Sequence, residues 1–298
     1  MEDKLDSVNI LGVRVDKVTM DQAVELVGKW IMVGGRHYIV TPNPEFVMLA
    51  QKDEVFKNIL NKSDLAIPDG SRLGWASSVL QEKNFCKKLL VWLTFLFPPK
   101  QLIQFDTVSG VDLMERLCKA SVDWARLPSP GGEATGGQGS TIGLLGGKDK
   151  VAEQTAECLQ KKYPKLKIIF AESGGKIDSD GNVIARIRQL AETKQSDSGS
   201  GIASPASPAR NDKKVDILFV AFGQGKQEKW IANNLKRLPI KVMMGVGGSF
   251  DEILGLAPRP PKWILDLKLK WLFRLVTEPW RIKRQLQLVK FLYLVLTK

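Results

Sequence analysis

The unit that most constrains this fold is a crossover. Residues 141–147, TIGLLGG, read as a strand closed by a glycine turn; a helical pattern follows through Val151, Thr155, Cys158 and Leu159, and residues 166–170, LKIIF, read as a second strand. Strand, glycine turn, helix and strand in that order join parallel neighbours, because a crossover is what returns the chain to the same end of a sheet. Two further runs repeat the opening of this unit: residues 215–221, VDILFVA, lead into FGQGKQE, and residues 241–246, KVMMGV, lead into GGSFD. Strands buried on both faces carry such continuous apolar sequence. The expected class is therefore α/β, with a Rossmann-like, largely parallel sheet flanked by helices.

Sheets of this kind bind ligands beyond the carboxyl ends of their strands, so the residues at those ends are the candidates for function. Leu65, Ala66 and Ile67 run into Pro68, Asp69 and Gly70. Proline bars a helix and glycine permits a sharp turn, which presents Asp69 at the mouth of the sheet. A carboxylate held there can accept a proton from a substrate hydroxyl, although Pro-Asp-Gly is also ordinary turn chemistry. Residues 37–40 form a short strand before Thr41-Pro42-Asn43-Pro44-Glu45, where Thr41 and Asn43 either line the same pocket or cap the next helix. Gly146 and Gly147 stand before a helix and can bring backbone N–H groups up to a diphosphate, which suits a nucleotide sugar. They spell neither the dinucleotide fingerprint nor a Walker loop. Gln227, Glu228 and Gly247, on the loops after the two later strands, complete the candidate binding set.

Elsewhere the pattern is less specific. Residues 10–19, ILGVRVDKVT, alternate as a half-buried strand, and Thr19 with Gln22 forms a capping box for a helix whose apolar face holds Ala23, Val24, Leu26, Val27, Trp30 and Ile31. Residues 89–97, LLVWLTFLF, fall far short of the roughly 20 needed to span a bilayer. The run is a helix that packs on the core or dips into a lipid interface, and the need to cover the sheet favours the core. Residues 127–140 and 194–212 have the Gly, Ser and Pro content of flexible inserts. Cys86, Cys118 and Cys158 are widely spaced and His37 is the single histidine, so neither a zinc site nor a disulfide scaffold is expected and a reducing compartment fits. The segment MEDKLDSVNI lacks the apolar core of a signal peptide, so nothing suggests export.

The formal net charge is +12, yet residues 259–298 hold ten Lys or Arg against Asp266 and Glu278 and so supply +8 of it. In this tail Ile282, Leu286, Val289, Tyr293 and Leu296 recur at helical spacing, with Arg281, Arg284 and Lys290 near the polar edge. Basic residues interleaved with tryptophan and leucine favour a lipid surface over nucleic acid. The same face can instead pack on the core or on a second subunit. The expected organisation is a catalytic α/β domain over 1–258, able to fold by itself, and a basic amphipathic helical appendage over 259–298 that meets the membrane.

Taken in order, TPNPEF, PDG, SGVDL, GLLGG, GKQEKW, GVGGSFD and KWLFRLVTEPWRIKR resemble the WecG/TagA/CpsF family of bacterial glycosyltransferases over nearly the whole chain apart from the inserts. The resemblance implies transfer of an N-acetylmannosamine-type sugar from a UDP donor to N-acetylglucosamine linked to undecaprenyl diphosphate, with inversion and without a metal or other cofactor. It makes Asp69 the general base, puts Thr41 and Asn43 in the pocket and Gln227 near the donor, and has Arg274, Arg281 and Arg284 close over the phosphates. A departing UDP concentrates negative charge, which without a metal must be met by arginines and backbone donors. Implied partners are thus a UDP-sugar, a polyprenyl-diphosphate acceptor and an anionic membrane surface on the cytoplasmic face, with a homo-oligomer left open. The family commonly has an arginine where this chain has Thr107, and the segment between Gly74 and Val108 is longer than the resemblance leads one to expect. That segment brings Arg72 or Lys100 into consideration for the missing charge. It also keeps a second reading in view: a weakened homologue that acts as a membrane-associated scaffold.

Overall fold

The computed structural model describes residues 5–124, 140–173, 215–261, 263–264, 267, 269–279 and 282–298. The insert at 194–212 and nearly all of that at 127–140 lie outside the described residues. Among those described, six strands form one parallel sheet: β3 (His37–Val40), β4 (Leu65–Ala66), β5 (Thr141–Gly146), β6 (Lys167–Glu172), β7 (Ile217–Ala221) and β8 (Val242–Gly245). Their spatial order is β4-β3-β8-β7-β5-β6. The chain leaves β3 for one margin and β5 for the other, and β7 and β8 fill the centre. Such a reversal opens a crevice at the carboxyl ends of the middle strands.

Alternate residues of each strand serve opposite faces. In β7, Leu218 and Val220 join a core with Tyr38, Val40 and Met243, whereas Ile217 and Phe219 join a second core with Ile39, Val242 and Met244. The second face is covered by α1 (Met20–Val33), α6 (Gly110–Asp123) and α7 (Val151–Lys162), with α9 (Ser249–Ile253) beside them. The first is covered by α2 (Pro44–Ala50), α3 (Glu54–Asn61), α4 (Arg72–Gln81) and α8 (Lys226–Asn234). Thr19 caps α1 with the box its sequence predicts: the Thr19 hydroxyl accepts from Gln22 N–H and the Gln22 side chain accepts from Thr19 N–H.

The stretch 10–19 differs from its expected single strand. Leu11 and Gly12 both have positive φ, 50° and 88°, and form a two-residue turn between β1 (Ser7–Ile10) and β2 (Val13–Asp16), an antiparallel hairpin. Positive φ at both central residues is what a tight hairpin turn requires. The hairpin is fastened to the sheet by side chains. Buried Asp16 accepts Ala66 N–H at 2.8 Å, and Arg14 donates to the Ser63 carbonyl at 2.5 Å.

Residues 89–97 also depart from expectation. The helix α5 (Phe85–Leu93) is inverted: Lys88 is its buried residue, while Phe85, Leu90 and Leu93, with Phe97 just beyond, are 62–66% exposed. Its inner side is held by Trp75 Nε1, which donates to the Val91 carbonyl at 3.1 Å. Core packing is therefore realised by Phe95 and in part by Val91 and Trp92, not by the run as a whole.

The tail is less separate than its composition implies. It contains α10 (Lys270–Thr277) and α11 (Ile282–Thr297), and α11 packs against α2, α4 and α5. Phe291 and Val295 are fully buried in the first core, and Trp92 Nε1 donates to the Leu292 carbonyl at 2.9 Å. The expectation that 1–258 folds without 259–298 conflicts with this packing, because removing α11 uncovers the core. No helix among the described residues is long and apolar enough to cross a membrane.

Candidate active site at the carboxyl end of the sheet

Parallel strands all deliver their following loops to one side, and the backbone stitches these loops together. The amide of Asp69 donates to the Pro42 carbonyl at 2.8 Å, and that of Val108 to the Pro68 carbonyl at 3.1 Å. The turn bearing Asp69 is thus clamped between the loop after β3 and the segment entering α6. Asp69 itself is half-buried, Thr41 is buried, and a side chain placed on Gly110 would touch Thr41 at 3.8 Å. Thr41, Asp69 and the amino end of α6 therefore stand together. Thr107 lies exposed at the same rim. Asn43 acts as a cap: its Oδ1 accepts Phe46 N–H at 3.0 Å as α2 begins.

The loops after β5, β7 and β8 form a second stitched group. Gly146 pairs with Ala221, and a Cβ there would sit 2.7 Å from the Ala221 carbonyl oxygen, so only glycine permits this approach. Gly147 N–H donates to that same carbonyl at 2.9 Å. The proposal from sequence that this glycine pair offers its amides to a diphosphate fails for Gly147, whose N–H is already used. Nor does the pair open the helix, since Lys148, Asp149 and Lys150 intervene before α7.

Gln227 and Glu228 are buried. Gln227 Nε2 donates to Glu228 Oε1 at 2.7 Å, Gln227 Oε1 accepts Gly247 N–H at 3.0 Å, and Glu228 Oε2 accepts Gly225 N–H at 2.7 Å. Gln227, Glu228 and Gly247, expected from sequence to bind substrate, lace the loop after β7 to the loop after β8. Burial pushes the Glu228 carboxyl up to about 7, against the opposing pull of its Gln227 and Gly225 donors.

Two contacts hold α10 across this edge. Arg72, at the start of α4, lies buried between rings, its guanidinium 4.3 Å from the Phe95 centroid and 5.5 Å from that of Trp271. It donates to the Phe95 carbonyl at 2.7 Å, and burial lowers it to about 10. One turn along α10, Arg274 pairs with Glu252 of α9. Sequence patterning does not single out Glu252, for which an acid one turn into the helix after GVGGS was the available signal, and it reads Trp271 as one of the tryptophans of a lipid-facing tail rather than as a partner of Arg72. Arg281 lies outside the described residues, and Arg284 is placed only as a position on α11.

A cavity of about 440 Å³ opens next to this pair, lined by Glu115, Cys158, Lys162, Glu252 and Arg259 among others, and Asp69 is not part of it. Burial pushes the Glu115 carboxyl up, but hydrogen bonds from Lys162 and Arg259 outweigh it and hold the group below the usual range. No three His, Cys, Asp or Glu side chains gather as a metal site among the described residues.

The chain carrying this edge is similar in sequence to known proteins. The model of the Glycosyl transferase WecG/TagA/CpsF family matches residues 8–89 and 208–298, more than half of the chain. The chain belongs to this family. Two Staphylococcus aureus proteins, from strains MRSA252 and NCTC 8325 / PS 47, are 28% identical to it over 290 residues, or 96% of this chain and 91% of theirs. Both are named N-acetylglucosaminyldiphosphoundecaprenol N-acetyl-beta-D-mannosaminyltransferase. The WecG/TagA/CpsF match includes the loops after β3, β4, β7 and β8 and all of α10 and α11, whereas Val108, the start of α6 and the loop after β5 lie outside it.

Proposed function

We propose that the chain transfers an N-acetylmannosamine-type sugar from a UDP donor to N-acetylglucosamine on undecaprenyl diphosphate, in the synthesis of teichoic acid or a related surface glycan. The observation that carries this reading is Asp69, half-buried on a turn whose backbone is tied on one side to Pro42 and on the other to Val108. The names of the two Staphylococcus aureus relatives support the sugar and the acceptor. In this reading Asp69 takes the proton from the acceptor hydroxyl as its oxygen bonds to the anomeric carbon. The bond from that carbon to the diphosphate oxygen breaks on the opposite face, and UDP leaves with the electron pair, so the centre inverts.

No metal takes part; the charge on UDP is met by Arg274, Arg281 and Arg284. Arg274 is paired with Glu252, so it serves UDP by exchanging one anionic partner for another. The tail brings the crevice to the cytoplasmic face of an anionic membrane, where the acceptor resides. The test is UDP release from a panel of UDP-sugars with a short-chain lipid-diphosphate N-acetylglucosamine, with and without chelator. Release with the N-acetylmannosamine donor, unchanged by chelator, is the expected result. Release that appears only with added Mg²⁺ or Mn²⁺ would remove the metal-free mechanism, and no release with any donor would favour the scaffold reading.

A further inference from the structure

An amphipathic helix in a globular protein turns its apolar face inward; α5 packs Val91 and Trp92 inward but carries a second apolar face outward. Phe85, Leu89, Leu90 and Leu93 recur at the spacing of one helical face, and all are exposed together with Phe97, while Lys88 is buried. The exposed side is not a frayed end. It is backed by Trp75 on the Val91 carbonyl and by Trp92 on the Leu292 carbonyl, so the helix is held firmly in this orientation. Through the second of these contacts α5 adjoins α11, whose Leu286, Val289 and Tyr293 are 58–66% exposed along one stripe. Two neighbouring helices thus carry apolar side chains outward, which on a soluble surface marks a contact site.

We infer that α5 and α11 together form a bilayer-docking face, with α5 supplying the inserted side chains. Charge selects the occupant. Lys83 and Lys100 flank α5, Lys87 lies on it, Lys290 lies on α11 and Lys298 follows it, all exposed, and neither 83–105 nor 279–298 contains an acidic residue. A second copy would bring like charge against like, whereas the surface of an anionic phospholipid leaflet complements the apolar centre and its basic rim. Docking by α5 also bears on the crevice: Arg72, three residues after Asp69, donates to the Phe95 carbonyl just beyond α5. The lipid-facing element and the catalytic turn therefore belong to one packed unit. This inference deepens the proposed function, from which it takes only its purpose, and moves the principal membrane contact from the tail into the α/β body.

The experiment is co-sedimentation of the full chain with vesicles of phosphatidylglycerol and phosphatidylcholine, or of phosphatidylcholine alone, without nucleotide or sugar. Wild type should bind the anionic vesicles. The variant Phe85→Ser, Leu90→Ser, Leu93→Ser, Phe97→Ser should partition on the order of 100-fold less, with melting and oligomeric state unchanged. Equal binding by variant and wild type, or no binding by wild type, overturns the inference. So does a wild-type dimer that the variant converts to monomer while vesicle binding persists. If that variant does not fold, a fluorophore on exposed Cys86, in a Cys158→Ser background, gives the answer: it should shift to the blue on anionic vesicles, and an unchanged spectrum overturns the inference. Vesicle binding with the expected shift but no sugar transfer would leave this face standing and remove the proposed function instead.

Discussion

Asp69 can be tested cleanly because its turn is held by backbone groups: its own amide on Pro42, and Val108 on the Pro68 carbonyl. Asp69→Asn should keep the melting temperature and UDP binding but lose transfer by roughly 10²- to 10⁴-fold. Transfer near the wild-type rate across pH would remove Asp69 as the base. Glu228 makes a different prediction. Its carboxyl is held neutral up to about 7 by burial, whereas in the unfolded chain it ionises at the ordinary glutamate value. Between those two values the folded state binds the extra proton, so stability must fall as pH rises through that window. In Glu228→Gln this component should vanish, and a Tm-versus-pH slope as steep as that of wild type would contradict the assignment. Much of this edge was legible in the sequence as a place, since polar residues after buried strands can hardly serve elsewhere. What each would do there was not: Gln227, Glu228 and Gly247 have the side chains and amides of ligand binders, and only the fold shows them turned to one another.

Among elements, the strands were legible because a continuous apolar run such as that of β7 can be buried on both faces in few other ways, and β5 was marked by the glycine turn and helix that follow it. The hairpin was not, since Leu11 and Gly12 continue the alternation of β2 and positive φ leaves no mark on polarity. The orientation of α5 was equally hidden, because a short apolar run looks the same whether it faces core or lipid. The position of α10 depends on two contacts far apart in sequence, Trp271 on Arg72 and Arg274 on Glu252. A cation over an aromatic ring contributes about 0.5–2 kcal/mol. Trp271→Ala should therefore speed amide exchange in α10 several-fold and leave the protection of β7 and β8 as it is. Exchange in α10 at the wild-type rate would show that the stacked arginine does not hold that helix.

At the scale of the whole molecule, the described residues form two cores, and the last helix closes one of them. Phe291 and Val295 are fully buried there, so Phe291→Ala should cost about 3–5 kcal/mol in unfolding free energy. A chain cut after Pro258 should unfold or aggregate rather than survive as a stable α/β body; a cooperative melt at the wild-type temperature would contradict this. The hairpin closes the molecule at another place. Just after β4 the Ile67 amide turns inward to the Val40 carbonyl, while the Ala66 amide, which faces away from β3, is taken up by the carboxylate of Asp16. A side chain answers where another strand would otherwise dock. Copies crowded together on a surface therefore find that amide already taken, and the β4 margin offers one fewer donor for growing a shared ribbon.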